Sequence, residues 1–190
     1  MKKLFFFFVL MIGIFVNAQT NEPANAQPIF PNDNSDGASF TISEDLKLPD
    51  GQFSLGANFG LPLGDTSNVY SYALTAEANY LFNVSDDFKI GPSVAFINYS
   101  GKTEGNSGFG DVQFLPVAAA ARFNLSEEFA LGADVGYGIG LNTGNKGGFY
   151  YRPLLSYEFA DNIAVQASYN GITNDGNNMS NVGLGIVFKL

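Results

Sequence analysis

Phe82-Asn83-Val84-Ser85-Asp86-Asp87-Phe88-Lys89-Ile90-Gly91 aligns position for position with Phe123-Asn124-Leu125-Ser126-Glu127-Glu128-Phe129-Ala130-Leu131-Gly132. Tyr157-Glu158-Phe159-Ala160-Asp161-Asn162-Ile163-Ala164-Val165 is a looser third copy. Each copy reads as a hairpin: an aromatic residue, a tight acidic turn, then an aromatic or aliphatic residue from which alternation resumes. A hairpin repeated along one chain predicts consecutive antiparallel strands, and the sequence on either side agrees.

Upstream, Phe53, Leu55, Ala57, Phe59, Leu61 and Leu63 alternate with Gln52, Ser54, Gly56, Asn58, Gly60 and Pro62. One face is apolar and the other small or polar, the two-residue period of a strand. The pattern recurs in Tyr70–Asn83, Phe88–Tyr99, Gln113–Leu125, Phe129–Asn142, Phe149–Glu158, Ile163–Thr173 and Asn181–Leu190, which predicts eight strands. Residues 51–190 supply 140 residues for them, or 17.5 per strand with its connection. A tilted strand crossing a bilayer needs about 9–11 residues, which leaves tight turns and modest loops. The acidic turns join strands 2–3, 4–5 and 6–7. The other connections (64–69, 100–112, 143–148 and 174–180) are rich in Gly, Asn, Ser and Thr, and mostly longer. Short turns at one end and longer loops at the other mark an up-and-down transmembrane barrel.

The choice of outer face follows from composition. Charged residues make up 14% of the chain, where a soluble domain carries about 25%. The non-apolar face is mostly Gly, Ser, Ala and Asn, which makes a poor water-facing surface. Lipid outside and a polar lumen fit better. Tyr80, Phe82, Phe88, Phe123, Phe129, Tyr157 and Phe159 flank the short turns. Tyr70, Tyr72, Phe96, Tyr137, Phe149, Tyr151 and Tyr169 lie nearer the loops, and the two sets read as interfacial girdles.

The N-terminus sets the compartment. Met1-Lys2-Lys3 precedes the apolar run Leu4–Val16, and Val16-Asn17-Ala18 offers a peptidase site, so residues 1–18 read as a secretory signal cleaved after Ala18. The run is too short for a membrane helix, which needs about 20 residues. Residues 19–50, rich in Asn, Asp, Pro and Ser, read as a flexible polar periplasmic tail. The formal charge is −9 and becomes −11 once the signal, with its two Lys and no acid, is removed. That acidity argues against nucleic acid as a partner.

The last strand carries the most specific motif. Asn181-Val182-Gly183-Leu184-Gly185-Ile186-Val187-Phe188 has the form polar-x-Gly-x-x-apolar-x-aromatic, followed by Lys189-Leu190. It resembles the C-terminal assembly signal of outer-membrane barrels, with Asn181, Gly183, Ile186, Phe188 and Leu190 at its positions. The Lys189-Leu190 ending departs from the usual terminal Phe. Residues 51–190 therefore resemble the small eight-stranded outer-membrane barrels of the OmpA, OmpX and OmpW type. The resemblance implies an all-β, antiparallel, eight-stranded barrel in the outer membrane of a Gram-negative-type cell. It also implies insertion by the barrel-assembly machinery, lipid as the surrounding partner, and short turns on the periplasmic side.

Composition limits the chemistry. The chain has no His and no Cys, so a Ser-His-acid triad, a thiol nucleophile and a Cys–zinc site are excluded. The enzymes known on this architecture use a His, so no catalytic role, cofactor or metal is expected. Gly136-Tyr137-Gly138-Ile139-Gly140 looks like a phosphate loop, but its glycines alternate within a strand and no helix follows. Alternation does place Glu77, Arg122, Asp134 and Arg152 on the inner face of strands 2, 4, 5 and 6. Two acids and two bases then balance as an ion-pair cluster across the lumen, at the level of Glu77, Asp134 and Arg152. Two functions remain open: a structural or surface-interaction barrel with a lumen closed by polar side chains, or a narrow passive channel. Loop 100–112 is the longest connection and the natural contact surface, but it names no extracellular ligand.

Overall fold

The computed structural model describes residues 50–104, 107–174 and 177–190. The expected signal segment, residues 1–18, and nearly all of the expected 19–50 tail lie outside the described residues. Eight strands form one closed sheet: β1 (Gly51–Pro62), β2 (Tyr70–Asn83), β3 (Phe88–Gly101), β4 (Val112–Asn124), β5 (Phe129–Gly140), β6 (Gly148–Ala160), β7 (Ile163–Asn174) and β8 (Asn177–Lys189). Each strand pairs with its sequence neighbour, and β8 returns to β1, antiparallel throughout. The closing register runs from Ser54↔Lys189 to Pro62↔Asn181. Closure leaves no free strand edge, which a barrel in lipid requires.

The repeated hairpins share one geometry. In the first turn the Val84 and Ser85 amides donate to Phe88 O, and in the second the Leu125 and Ser126 amides donate to Phe129 O. The serine hydroxyl of each turn accepts from the amide that reopens the strand: Phe88 N to Ser85 Oγ and Phe129 N to Ser126 Oγ, both 3.1 Å. Short polar residues suit such turns because their side chains satisfy backbone groups that the ladder has released. The third turn is tighter and places Asn162 at φ 64°, a conformation Asn tolerates better than most residues.

The long connections include α1 (Thr66–Val69) between β1 and β2, and a two-residue ladder, Thr103–Glu104 with Ser107–Gly108, between β3 and β4. Strand ends differ by a few residues from the alternation pattern. The last strand begins at Asn177 rather than Asn181, because Asn177 to Ser180 continue the pairing with Asn174 to Gly171. With Met179 as its single apolar residue, that extension gives no alternating hydrophobic signal.

Every charge within the described barrel strands is on the lumen side of the alternation. The opposite positions are exposed large apolar residues, among them Phe59, Leu74, Val117, Leu131, Val135, Leu155, Leu184 and Ile186. So extensive an apolar exterior suits lipid rather than water.

Candidate functional site

The lumen brings Glu77, Arg122, Asp134 and Arg152 together. They come from β2, β4, β5 and β6, at inward positions of each strand. Asp134 stands directly opposite Arg152 in the β5–β6 register. Arg152 Nε donates to Asp134 Oδ2 at 2.9 Å, and Nη2 lies 2.6 Å from the same oxygen. Nη1 of Arg152 reaches across the lumen to Glu77 Oε2. Asp134 Oδ1 accepts from Arg122 Nη1 at 2.6 Å. The chain Glu77–Arg152–Asp134–Arg122 is thus continuous and charge-balanced. Asp134, Arg152 and Glu77 are essentially inaccessible, while the Arg122 side chain keeps 11% of its surface. Gln166 of β7 donates to Glu77 Oε1 and to Asn58 Oδ1, tying β1 and β7 to the cluster. An ion cluster held away from water needs this degree of mutual satisfaction.

The glycines of β5 make room for part of it. A Cβ on Gly132 would meet Arg122 Cδ at 2.5 Å, so that arginine lies across the bare backbone. Arg152 does not use this space. Gly136 instead packs on the backbone of Val117 and Ala118, Gly138 lies under Ile172, and Gly140 faces Asn145.

Sequence reasoning missed the layer on the loop side of the cluster. Ala73, Ile97, Tyr99, Phe114, Tyr150 and Ile172 form a buried apolar group inside the lumen, with Tyr70, Val112, Ala118 and Met179 packed against it. The inner face is therefore not uniformly small and polar. Tyr70 also leaves the expected outer girdle. A register shift between Tyr70 and Tyr72 turns it inward, with its ring 5.7 Å from that of Tyr99. Below this layer lies a belt of amides. Asn181 Nδ2 donates to the Tyr99 hydroxyl at 2.7 Å, Asn170 Nδ2 to Asn181 Oδ1 at 3.1 Å, and the Tyr150 hydroxyl to Asn170 Oδ1 at 3.3 Å. Towards the turns the lumen stays polar. Lys89 Nζ donates to Gln52 Oε1 at 3.4 Å, and Lys189 pairs with Glu158. Three buried atoms, Asn58 Nδ2, Asn79 Oδ1 and Arg152 Nη2, have no hydrogen-bond partner among the described residues, although Nη2 keeps its ion-pair contact with Asp134.

No family model and no curated protein matches the chain. Solved structures do. The Yersinia pestis outer membrane protein Ail in a phospholipid bilayer nanodisc superposes with TM-score 0.54 at 18% identity, covering 74% of this chain and 100% of that one. The crystal structure of Ail gives 0.52 at 20% identity, covering 74% and 97%. Ail in complex with the heparin analogue sucrose octasulfate gives 0.52 at 19%, with the same coverage. The chain has the fold of the small eight-stranded outer-membrane barrels.

In a barrel of this kind the two ends face different compartments, and here they are built differently. At the long-loop end, side chains lace the connections together. Thr66 continues the β1–β8 ladder where β1 departs, accepting from Ser180 N at 3.1 Å and donating to Asn178 O at 3.3 Å. Lys102 Nζ donates to Ser67 O at 2.7 Å, joining the first loop to the second. Asp111 Oδ1 accepts from Gly101 N, while Asn142 Nδ2 donates to Asp111 O and Asn142 Oδ1 accepts from Gln113 N. Gly147, at φ 73° and against Gly138 O, leaves no room for a side chain. In the last strand of the barrel, Asn181 and Gly183 face the lumen, Ile186 and Phe188 face outward, and Leu190 ends the chain exposed, its amide donating to Phe53 O.

Proposed function

We propose that the protein is an outer-membrane barrel with a structural or surface-interaction role, a lumen closed by side chains, and no catalytic function. It is exported through cleavage after Ala18 and inserted by the barrel-assembly machinery, which reads Asn181, Gly183, Ile186, Phe188 and Leu190. The acidic turns and the 19–50 tail are periplasmic, and the laced loops face outward. The observation that carries this reading is the Glu77–Arg152–Asp134–Arg122 chain, buried across the lumen from β2 to β6. Eight strands enclose an interior just wide enough for side chains. The glycine-lined face of β5, where the wall carries the least side-chain bulk, is occupied by Arg122, Ile172 and Asn145.

The laced loops favour contact with another surface over conduction, because a pre-ordered rim loses little conformational freedom on binding. A polyanion such as the heparin analogue bound to Ail is a poor match. Loops 63–69, 102–111, 141–147 and 174–176 carry Lys102 and Lys146 against Asp65, Glu104, Asp111 and Asp175, and Lys102 is committed to Ser67 O. The test is single-channel recording on refolded protein in a planar bilayer. The closed barrel shows no steady conductance; a steady conducting state in the wild-type protein would establish the channel instead.

A further inference from the structure

We infer that the lumen has two seals in series, of different chemistry: the ion cluster and, on its loop side, the apolar layer of Ile97, Tyr99, Phe114, Tyr150 and Ile172. Either one alone blocks the passage of ions. This rests on the closed-lumen reading and says where closure resides.

Strand order fixes the relative position of the two. On β6, Tyr150 is one inward position nearer the loops than Arg152. On β2, Ala73 is two inward positions nearer the loops than Glu77. The layer is contributed from nearly all round the wall: Ala73 on β2, Ile97 and Tyr99 on β3, Phe114 on β4, Tyr150 on β6 and Ile172 on β7, with Met179 of β8 packed against it. Its members are 0–3% exposed, and the Tyr99 ring is held edge-on to Phe114 with centroids 6.3 Å apart. No member depends on Glu77, Asp134 or Arg122 for a hydrogen bond. Removing the cluster therefore leaves the layer its own packing.

The two tyrosines mark where wet gives way to dry. Each keeps its ring in the layer and turns its hydroxyl to the amide belt, through Asn181 for Tyr99 and Asn170 for Tyr150. Tyrosine takes such a position where an apolar and a polar region meet. The unpartnered Asn58 Nδ2 and Asn79 Oδ1 lie on β1 and β2, on the turn side of the layer. Buried polar atoms without a protein partner call for water. The turn-side half thus has places for single bound waters among its polar side chains, and it ends beneath a group with nothing to offer an ion. A narrow apolar constriction excludes ions by staying dry, however polar the passage leading to it.

Four proteins separate the alternatives in planar bilayers, each first shown by far-UV circular dichroism to be folded. Wild type, the cluster variant Glu77→Ala/Arg152→Ala and the layer variant Ile97→Ser/Phe114→Ser/Ile172→Ser all remain silent. The variant combining both sets conducts. Conductance from the cluster variant would make the ion cluster the sole seal, and conductance from the layer variant would show that the cluster blocks nothing; either overturns the inference while leaving the closed lumen intact. A silent, folded combined variant overturns it as well. Conductance from wild type would defeat the closed-lumen reading itself. A second measurement avoids dependence on multiple substitutions. The chain has no cysteine, so single introduced thiols report cleanly. Ser54→Cys reacts with a small water-soluble thiol reagent, and Ile97→Cys does not. Labelling of Ile97→Cys in the folded barrel would show that the layer is wet and refute the second seal.

Discussion

Arg152→Ala tests the cluster most directly. Its guanidinium contacts both Glu77 and Asp134 and is fully enclosed. Deletion leaves the two acids unequally placed: Asp134 retains Arg122, whereas Glu77 retains Gln166 but no cation. Breaking a buried pair by removing one partner costs about 3–5 kcal/mol. The surviving Arg122 contact puts the expected loss near the lower end, about 3 kcal/mol. The informative partner is Glu77. Asp134→Ala strips Arg122 as well, so the Arg152/Asp134 double variant leaves Glu77 without a cation and adds Arg122 as a second orphaned charge. Glu77→Ala/Arg152→Ala removes a matched pair, so the double variant loses less than the sum of the single losses, by about 1–3 kcal/mol. The assay is urea-induced unfolding in lipid vesicles, followed by tryptophan-free probes such as far-UV circular dichroism or the gel shift of folded barrels. An Arg152→Ala loss under about 1 kcal/mol, or strict additivity with Glu77→Ala, would refute the claim that these groups hold one another in a water-poor lumen.

Three further outcomes follow from the geometry. Gly136→Ala destabilises strongly or fails to refold, because its Cβ would strike Val117 O and lie 2.5 Å from Ala118 Cα, both backbone. Gly138→Ala meets only the Ile172 side chain at 3.2 Å and is tolerated; the same unfolding series ranks the two. Lys189→Ala costs under about 1 kcal/mol, since its pair with Glu158 is a quarter open to solvent, and a loss like that of Arg152→Ala would contradict the difference in burial. Thr143→Cys reacts with an impermeant thiol label on intact cells and Glu127→Cys does not; the reverse pattern would invert the proposed orientation.

What the sequence disclosed depended on contrast between the two faces. Strand β2 reads correctly from Tyr72 onward because Thr75, Glu77 and Asn79 face inward against Leu74, Ala76 and Ala78. The ion cluster was legible for the same reason: a charge in an alternating strand can point only one way, and lipid forbids the other. Contrast fails at the loop end of β3, where Phe96, Ile97 and Tyr99 are all apolar, so nothing distinguishes a lumen-filling side chain from a lipid-facing one. The inward turn of Tyr70 depends on a register shift that no local residue announces. The ties made by the Asn142 amide and the Thr66 hydroxyl are likewise invisible from sequence, because Asn- and Thr-rich loops read alike whether laced or loose.

The acidic-turn end also carries a bookkeeping of its own. Asn83 N donates to Asp50 O, Asn124 N to Asp87 O, Glu158 N to Glu128 O and Lys189 N to Asn162 O, each strand end fastened to the turn beside it or to the residue that leads into β1. The circuit closes when Leu190 N donates to Phe53 O at 2.8 Å. In a closed sheet the offsets between neighbours must add to a fixed total after one trip round the wall. A slip between any two strands is therefore not a local fault; it arrives at the far end of the chain, where Leu190 no longer meets Phe53 and Lys189 no longer reaches Glu158. The last two residues act as a parity check on the whole molecule, readable only after every other strand is in place.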